Sequence, residues 1–422
     1  MFKGKFIRKF TAIAVCLSML VSLAACGGAK DENTEGDGFE EDVTVRLWYT
    51  AALYTSYFEE CASRYHDENG HVTVELKRIE DENYLNEIYN ECVRSENSVD
   101  VFMMPSDDVQ KAYLMGLMRP NTAYSDIYNE QTYGKNAMAA SSYSGKLVGY
   151  PLTFESSVMV YNKKFGKEFR TFEELTTFSD NFQFTEENEG VTQIVGWDVS
   201  DINLNYAFLG SYMNVGGDNA DDVTKTYLQD DKIKEALNAF VGFKDTYGII
   251  RNNMKYDEYL SRFMSGSLLY TIVRTNDLAA INNSGVEYGI TAIPDYNGNL
   301  KTRSTARTYM LAVTPYSPNY KIAESVAKAF TYDYAGMLNE KASMPAARSD
   351  AENQPNEYQK LHSVYSDMSL RARYMEIGDY YVNMEIMLHK SWDGSESVDD
   401  AYNTFKNYVM ATMQPKQSAA AQ

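Results

Sequence analysis

Hydrophobic and polar positions alternate with two different periods in the first third of the chain. Every second residue from Val43 to Tyr49 is apolar or aromatic, which is the period of a strand. From Tyr54 to Tyr65, apolar residues recur at three-and-four spacing, which predicts an amphipathic helix. A second strand, a second helix and the apolar run VDVFMMP follow. This order predicts a parallel sheet with right-handed crossovers.

The two predicted helices each carry one cysteine, Cys61 and Cys92. If the first strand lies between the second and the third, these helices pack on opposite faces of the sheet. A disulfide requires Cα atoms within about 7 Å, which that arrangement excludes. We therefore predict two free, buried thiols.

Further along the chain, strands and helices alternate less regularly. Helices are predicted for TFEELTTFSDNF, for KIKEALNAFVGFKDTYG with its end at Gly248, for NYKIAESVAKAFTYDYAG and for most of the last hundred residues. Strands are predicted for TQIVGWDVS, GSLLYTIVRTND, EYGITAIP and TYMLAVTP. In the apolar segment GKLVGYPLTFESSVMVYNKK, a single carboxylate, Glu155, stands between Phe154 and Ser156. With roughly 370 residues between its ends, the chain is expected to form two lobes.

The first residues have the pattern of a secretory signal. Four basic residues precede an apolar run that is shorter than the roughly 20 residues needed to span a bilayer, and LAAC follows. We predict a signal peptide over residues 1–25 and, because glycine and acidic residues dominate, a disordered tether over 26–42. Residues 416–422 are predicted to form a frayed tail.

Composition narrows the function classes. The formal net charge is −20 and no cluster of Lys and Arg is present, so a nucleic-acid partner is not expected. The common catalytic motifs are absent and the four histidines never have ligand spacing, so neither a metal site nor a cofactor is expected. GGDNADD is acidic like a calcium-binding EF-hand loop, but it lacks the glycine and the distal glutamate that such a loop has at fixed positions. With 59 acidic residues, a glycoside hydrolase remains an alternative, as does an adhesin or structural surface protein.

One long segment and five shorter ones resemble a known family. GKLVGYPLTFESSVMVYNKKFG followed by RTFEEL is similar to a signature segment of the family 1 extracellular solute-binding proteins, the class of maltose-binding protein. Further similar segments appear in family order: VDVFMMPSDDVQKAYLMGLMRP, YLSRFMSGSLLYTI, YGITAIP, SPNYKIAESVAKAFTYDY and ESVDDAYNTF. Together they cover nearly all of the chain after the tether.

The resemblance implies an α/β protein with the two-lobe, type II periplasmic-binding-protein fold, crossing hinge strands and a cleft between the lobes. We expect residues 43–153 and 295–345 in lobe 1, and residues 154–294 and 346–415 in lobe 2. The implied function is the binding subunit of an ABC importer, which captures a mono- or oligosaccharide and delivers it to permeases. The LAAC segment resembles a lipobox, which implies a lipid on Cys26 that anchors the protein on the extracytoplasmic face of the cell membrane. We expect the protein to be a monomer.

The resemblance and the strand ends together suggest ligand-binding candidates: Trp48, Tyr49, Asp107, Asp108, Glu155, Trp197, Asn276, Arg307, Tyr309 and Tyr380, with Tyr381 as an alternative to the last. Three other structural roles stay open. Either aspartate could cap a helix, Trp197 could be core and Glu155 could be an exposed strand end. Where maltose-binding protein has a stacking tryptophan, this chain has Asn276. Together with Arg274 and Arg307, this difference admits a smaller sugar or one bearing an acidic group.

Overall fold

The structure, a computed structural model, describes residues 42–95 and 98–413. The predicted signal peptide, Cys26, all but the last residue of the tether and the tail at 416–422 lie outside these residues. Within them, every helix is too short or too polar to cross a membrane.

Thirteen strands are present in the described residues, nine of them in one main sheet and four in two small hairpins. The hairpins are β4–β5 and β8–β9. The bounds are β1 (Val43–Tyr49), β2 (Val72–Arg78), β3 (Val101–Pro105), β4 (Ser142–Tyr143), β5 (Lys146–Leu147), β6 (Tyr150–Asn162), β7 (Gln193–Val195), β8 (Met213–Asn214), β9 (Tyr227–Leu228), β10 (Leu268–Arg274), β11 (Tyr288–Thr291), β12 (Thr305–Val313) and β13 (Ser369–Leu370).

Helices cover both faces of the main sheet. Their bounds are α1 (Thr55–Glu68), α2 (Tyr84–Arg94), α3 (Val109–Leu114), α4 (Glu130–Ala140), α5 (Phe172–Asn181), α6 (Ile202–Asn205), α7 (Ala207–Gly210), α8 (Asp230–Tyr247), α9 (Tyr256–Met264), α10 (Leu278–Ser284), α11 (Tyr320–Lys328), α12 (Leu338–Ala342), α13 (Asn356–Asp367), α14 (Tyr380–Asp393) and α15 (Val398–Thr412). Short 3₁₀ turns at Ser106–Asp108 and Thr275–Asp277 directly follow β3 and β10.

The order of strands in the main sheet is β2–β1–β3–β12–β6–β10–β7, with β11 also paired to β6 and β13 to β12. The predicted position of β1 between β2 and β3 is confirmed, and both pairs are parallel. Strand β12 runs antiparallel to β3 and to β6. Strand β6 then runs antiparallel to β10, whose other neighbour, β7, is parallel to it.

Two helix ends form where the sequence predicts them. The Thr171 hydroxyl accepts a hydrogen bond from the amide of Glu174 at 3.2 Å, which satisfies a free donor at the start of α5. Helix α8 ends at Gly248, whose φ of +64° lies in the left-handed region that glycine adopts without steric cost. The threonine cap and the glycine thus determine where α5 begins and where α8 ends.

Helices α1 and α2 pack on opposite faces of the sheet, as predicted. Cys92 on α2 belongs to a core cluster with Trp48 and Phe102, whereas Cys61 on α1 is buried beside Tyr57 and Phe58. Both thiols are free.

Mass mapping of the non-reduced protein is therefore expected to find both cysteines as separate thiols. Alkylation should require unfolding, because both side chains are buried. A peptide pair linked through Cys61 and Cys92 would contradict the observed strand order.

The main sheet has two halves, one formed by β1, β2, β3, β12 and β13 and the other by β7, β10 and β11, and β6 pairs with both. The chain passes between the halves along β6, again between β11 and β12, and a third time after β13. Leu370 pairs with Ala306 of β12, and the chain then passes through Arg373, whose side chain is almost fully buried. The Arg373 guanidinium donates hydrogen bonds to the carbonyl oxygens of Ala140 and Ser142, both at 2.8 Å, and of Asn219 at 2.9 Å. This side chain ties the connecting segment to α4 and to the loop after β8.

His362 on α13 packs edge-on against Phe154 of β6, with ring centroids 5.5 Å apart. Its Nε2 is buried and has no hydrogen-bond partner among the described residues. Burial lowers the pKa of His362 from 6.5 to about 4. Between about pH 6.5 and pH 4, His362 is protonated in the unfolded chain but not in the folded protein. The free energy of unfolding therefore decreases as the pH falls from about 6.5 to 4.

The loss attributable to His362 is expected to reach about 3 kcal/mol at pH 4, at roughly 1.4 kcal/mol per unit of pKa difference. Replacing His362 by phenylalanine should flatten that part of the stability profile, as measured by urea unfolding from pH 4 to 7. The control is His71→Gln at an exposed position. Equal pH slopes for the wild type and His362→Phe would show that His362 is protonated in the folded protein.

Candidate functional site

Strand β6 changes partners halfway along its length. Its first part, through Ser156, pairs with β12, and its second part, from Ser157, pairs with β10. Glu155 lies opposite Arg307 of β12, and Ser157 lies opposite Arg274, the last residue of β10. The register therefore brings two arginines and a glutamate to the point where the chain passes from one half of the sheet to the other.

A pocket of about 200 Å³ opens at this crossing. Every residue that lines it is polar or charged: Glu155, Ser156, Ser157, Asn203, Arg274, Thr305, Arg307 and Arg371. Three separate parts of the chain, β6, β12 and the segment after β13, meet here with α6 and β10. Polar groups that converge on one concave site from several elements mark it as a candidate binding site.

Asp107 connects two of these arginines. Arg307 donates from Nε and Nη2 to Asp107 Oδ2 at 3.0 and 2.7 Å, and Arg371 Nε lies 3.2 Å from the same oxygen. Burial by itself would lower the pKa of Arg307, but the Asp107 carboxylate and Tyr309 together outweigh burial, so the net pKa is raised. Arg307 is therefore a fixed positive charge.

Asp108 has a different environment. Burial, and then the negative charge of Asp107, raise the pKa of Asp108. Its side chain makes no hydrogen bond that caps α3. Of the two neighbouring acids, Asp107 is the one that contacts the pocket arginines.

Glu155 projects from the centre of β6 beside Tyr309. The Tyr309 hydroxyl donates to Glu155 Oε2 at 3.1 Å, and its ring lies 6.2 Å from that of Tyr54. Burial, together with the Glu155 charge, raises the pKa of Tyr309 to about 12, so its hydroxyl stays protonated at neutral pH. Glu155 thus retains carboxylate lone pairs for a ligand.

Two tyrosine rings fix the planes of the other arginines. Arg371 lies over the ring of Tyr381 at 4.2 Å, and its Nη1 donates to Asn203 Oδ1 at 2.7 Å. Arg274 lies over the ring of Tyr256 at 4.1 Å and forms an ion pair with Asp201. Such stacking restricts a planar guanidinium to one orientation.

Three predicted candidates lie in the hydrophobic core rather than in the pocket. Trp197 is fully buried, and its Nε1 donates to Asn205 Oδ1 at 2.9 Å. Tyr380 is also fully buried, and Trp48 belongs to the core cluster between α2 and the sheet. A ring without free surface cannot stack on a solute, so these three are removed from the candidate set, and Tyr381, the alternative to Tyr380, supports Arg371 with its ring instead.

Two further candidates lie outside the pocket lining. Tyr49 is buried against Phe58, with ring centroids 5.0 Å apart, and its hydroxyl donates to Thr55 at 3.0 Å. Asn276 lies in the turn after β10, and its Oδ1 is buried without a hydrogen-bond partner among the described residues. Neither side chain has free surface in the pocket.

Sequence reasoning missed Asn203 and Arg371. Asn203 lies in the four-residue helix α6, and Arg371 follows the two-residue strand β13. Elements this short leave no periodic pattern. A signal for Arg371 was nevertheless present, since two arginines alternate in LRARY. No group of three His, Cys, Asp or Glu side chains suited to a metal ion occurs in the described residues.

Comparison with known proteins identifies the family. Residues 60–332 match the family described as bacterial extracellular solute-binding protein. The chain belongs to this family. The matched residues include β6, Glu155, Arg274 and Arg307, so the pocket is formed largely by the family region of this solute-binding protein.

Several curated relatives of this solute-binding protein are named for carbohydrates. The maltodextrin-binding protein MdxE of Bacillus subtilis is 22% identical over 428 residues, which cover 97% of this chain and 99% of the relative. The maltooligosaccharide ABC transporter solute-binding lipoprotein of Streptococcus pneumoniae is 27% identical over 302 residues, 69% of each chain.

Solved structures of similar fold confirm the predicted two-lobe, type II architecture. A cyclo/maltodextrin-binding protein in complex with maltotetraose superposes with a TM-score of 0.75 at 16% identity and covers 90% of this solute-binding protein and 100% of its own chain. A solute-binding protein of Staphylococcus aureus in complex with maltose gives a TM-score of 0.73 at 16% identity, with the same coverage.

Proposed function

We propose that this protein is the substrate-binding subunit of an ABC importer and that it captures a small carbohydrate in the pocket at the β6 crossing. The observation that most strongly supports this function is the position of the pocket, since its lining comes from both halves of the sheet. A solute bound there contacts both lobes and favours their closed arrangement by its differential affinity. The closed protein is then the form that the permease subunits recognise.

The side chains of the pocket suit a carbohydrate. Sugar hydroxyls both donate and accept hydrogen bonds, and the lining supplies a carboxylate, guanidinium groups, an amide and hydroxyls. A sugar with a misplaced hydroxyl would leave one of these buried groups unpaired, which gives the site selectivity. The names of the relatives in Bacillus subtilis and Streptococcus pneumoniae support the same class of solute.

We retain the two lobes inferred from the sequence, with one adjustment. Ala347 donates its amide to the carbonyl of Leu152, and Thr153 donates to the carbonyl of Pro345. These contacts favour the assignment of residues 345–347 to lobe 1, so we move the boundary from residue 345 to the third crossing, at residues 369–373.

We further propose that Cys26 carries a lipid and holds the protein on the extracytoplasmic face of the cell membrane. The Streptococcus pneumoniae relative is named as a lipoprotein, which supports this assignment. The protein is proposed to act as a monomer, to bind its solute without transforming it, and to need no cofactor.

A thermal-shift screen over neutral mono- and oligosaccharides and sugar acids tests the proposal. We expect at least one sugar to raise the melting temperature in proportion to the logarithm of its concentration. Mass spectrometry of that sugar after incubation should recover it unchanged. Release of a shorter glycan would instead support the glycoside hydrolase alternative, and the absence of any sugar-dependent shift would refute carbohydrate binding.

A further inference from the structure

Three guanidinium groups converge on the pocket from three separate segments of the chain. Arg274 ends β10, Arg307 lies in β12 and Arg371 follows β13. One carboxylate, Glu155, lines the pocket with them, and the other four lining residues are neutral and polar. The lining is therefore richer in positive charge than hydrogen bonding to sugar hydroxyls alone requires.

The charges of these arginines are only partly neutralised. Arg274 has Asp201 as its partner, but Arg307 and Arg371 share a single oxygen of Asp107. One negative charge between two guanidinium groups leaves this triad with an excess positive charge. Glu155 does not compensate for it by an ion pair, because its hydrogen bond is to the neutral Tyr309 hydroxyl.

Arg371 has donor capacity that the described residues leave unused. Its Nε is buried and lies 3.2 Å from Asp107 Oδ2, and its Nη1 donates to Asn203 Oδ1, which leaves Nη2 as a nitrogen from which no described residue accepts a hydrogen bond. Only 17% of this side chain is exposed, and Tyr381 holds its plane. A fixed guanidinium fork of this kind matches the geometry of a carboxylate.

The lining lacks the aromatic face that covers a neutral sugar ring. Among the described residues that line the pocket, none is aromatic, and the rings of Tyr256 and Tyr381 are covered by Arg274 and Arg371. The volume of about 200 Å³ is also below the 300–1,000 Å³ typical of sites for drug-sized ligands. Charge and small size, rather than stacking, characterise this site.

We propose that the solute bears a carboxylate: it is a sugar acid of one or two rings, held at its acid group by Arg371 and Arg274. Glu155 repels a carboxylate, so the hydroxyl-bearing part of the solute faces Glu155 and the acid faces the arginines. This inference rests on the proposed carbohydrate-binding function and specifies the solute class for the same pocket.

Matched ligands test the role of the charge. Calorimetric titration would compare galacturonate, its methyl ester and galactose, with glucuronate, digalacturonate and maltose as further probes. We expect at least one acid to bind at least tenfold more tightly than its neutral counterpart, since hydrogen bonds between charged groups are about twice as strong as neutral ones. Equal binding of acid and ester, or a preference for maltose, would overturn the sugar-acid inference but leave carbohydrate binding in place. If no sugar binds, both proposals fail.

Two variants separate a contact with the acid from a structural role. Arg371→Gln and Arg274→Gln should each reduce the ratio of acid affinity to neutral-sugar affinity by about tenfold, because each variant weakens binding of the acid more than binding of the neutral form. Arg78→Gln, at an exposed position outside the pocket, is the control for loss of one positive charge and should leave the ratio unchanged. An unaltered ratio in both pocket variants, with unliganded melting temperatures like that of the wild type, would overturn the proposal.

Discussion

Replacing Trp197 by alanine is expected to lower the free energy of unfolding by about 3–5 kcal/mol, the cost typical of removing a large aromatic side chain from a core. The ring is fully buried, stacked on Phe208 with centroids 5.5 Å apart, and packed against Phe172 and Phe243. Its hydrogen bond to Asn205 would also be lost. Urea unfolding of the unliganded protein measures the effect.

The same variant tests whether Trp197 belongs to the binding site. Because Trp197 lies outside the pocket, the fraction of Trp197→Ala that remains folded should bind the sugar with wild-type affinity. Trp197→Phe is the matched control, which keeps an aromatic ring in the core and should cost less stability. A small change in unfolding free energy combined with a large loss of affinity would return Trp197 to the ligand-binding set.

Replacing Glu155 by alanine is expected to weaken sugar affinity by roughly tenfold to a hundredfold. Loss of a hydrogen-bonding partner for a buried polar group typically costs about 1–3 kcal/mol, and each 1.4 kcal/mol is one decade in affinity. Stability without ligand should fall by no more than about 1 kcal/mol, because the Glu155 carboxylate has one described hydrogen bond, to Tyr309. Calorimetric titration and melting curves measure the two effects.

The control for Glu155→Ala is Glu287→Ala, which removes an exposed carboxylate outside the pocket. Its affinity should equal that of the wild type. An unchanged affinity in Glu155→Ala, or a large loss of its unliganded stability, would mean that Glu155 supports the strand crossing rather than the solute.

The first half of the sheet could be predicted from the sequence because its elements are long and periodic. Strands β1 and β2 and helices α1 and α2 each span enough residues to show a period of two or of three to four, and β3 stands out as a continuous apolar run. The order of these strands then places Cys61 and Cys92 on opposite faces of the sheet. Glu155 stood out for a related reason, since one carboxylate interrupts an otherwise apolar strand.

The pocket itself could be predicted only in part. Arg307 and Glu155 are opposite each other because of the register between β6 and β12, which a single sequence does not give. From the sequence it could not be decided whether the side chains of Trp48 and Trp197 face the cleft or the core, and in the structure both are buried in the core. It could not separate Asp107 from Asp108, because adjacent residues in a 3₁₀ turn point in different directions and only tertiary contacts distinguish them.

A crystal structure with the sugar identified in the thermal-shift screen is the most direct test of the central claim that the solute binds at the β6 crossing. We predict electron density for the sugar within hydrogen-bonding distance of Glu155 and Arg307, in contact with both halves of the sheet. A second cavity, lined by Lys135, Tyr227 and Arg303, lies elsewhere in the protein. Density for the sugar in that cavity, with the pocket at Glu155 empty, would contradict the claim.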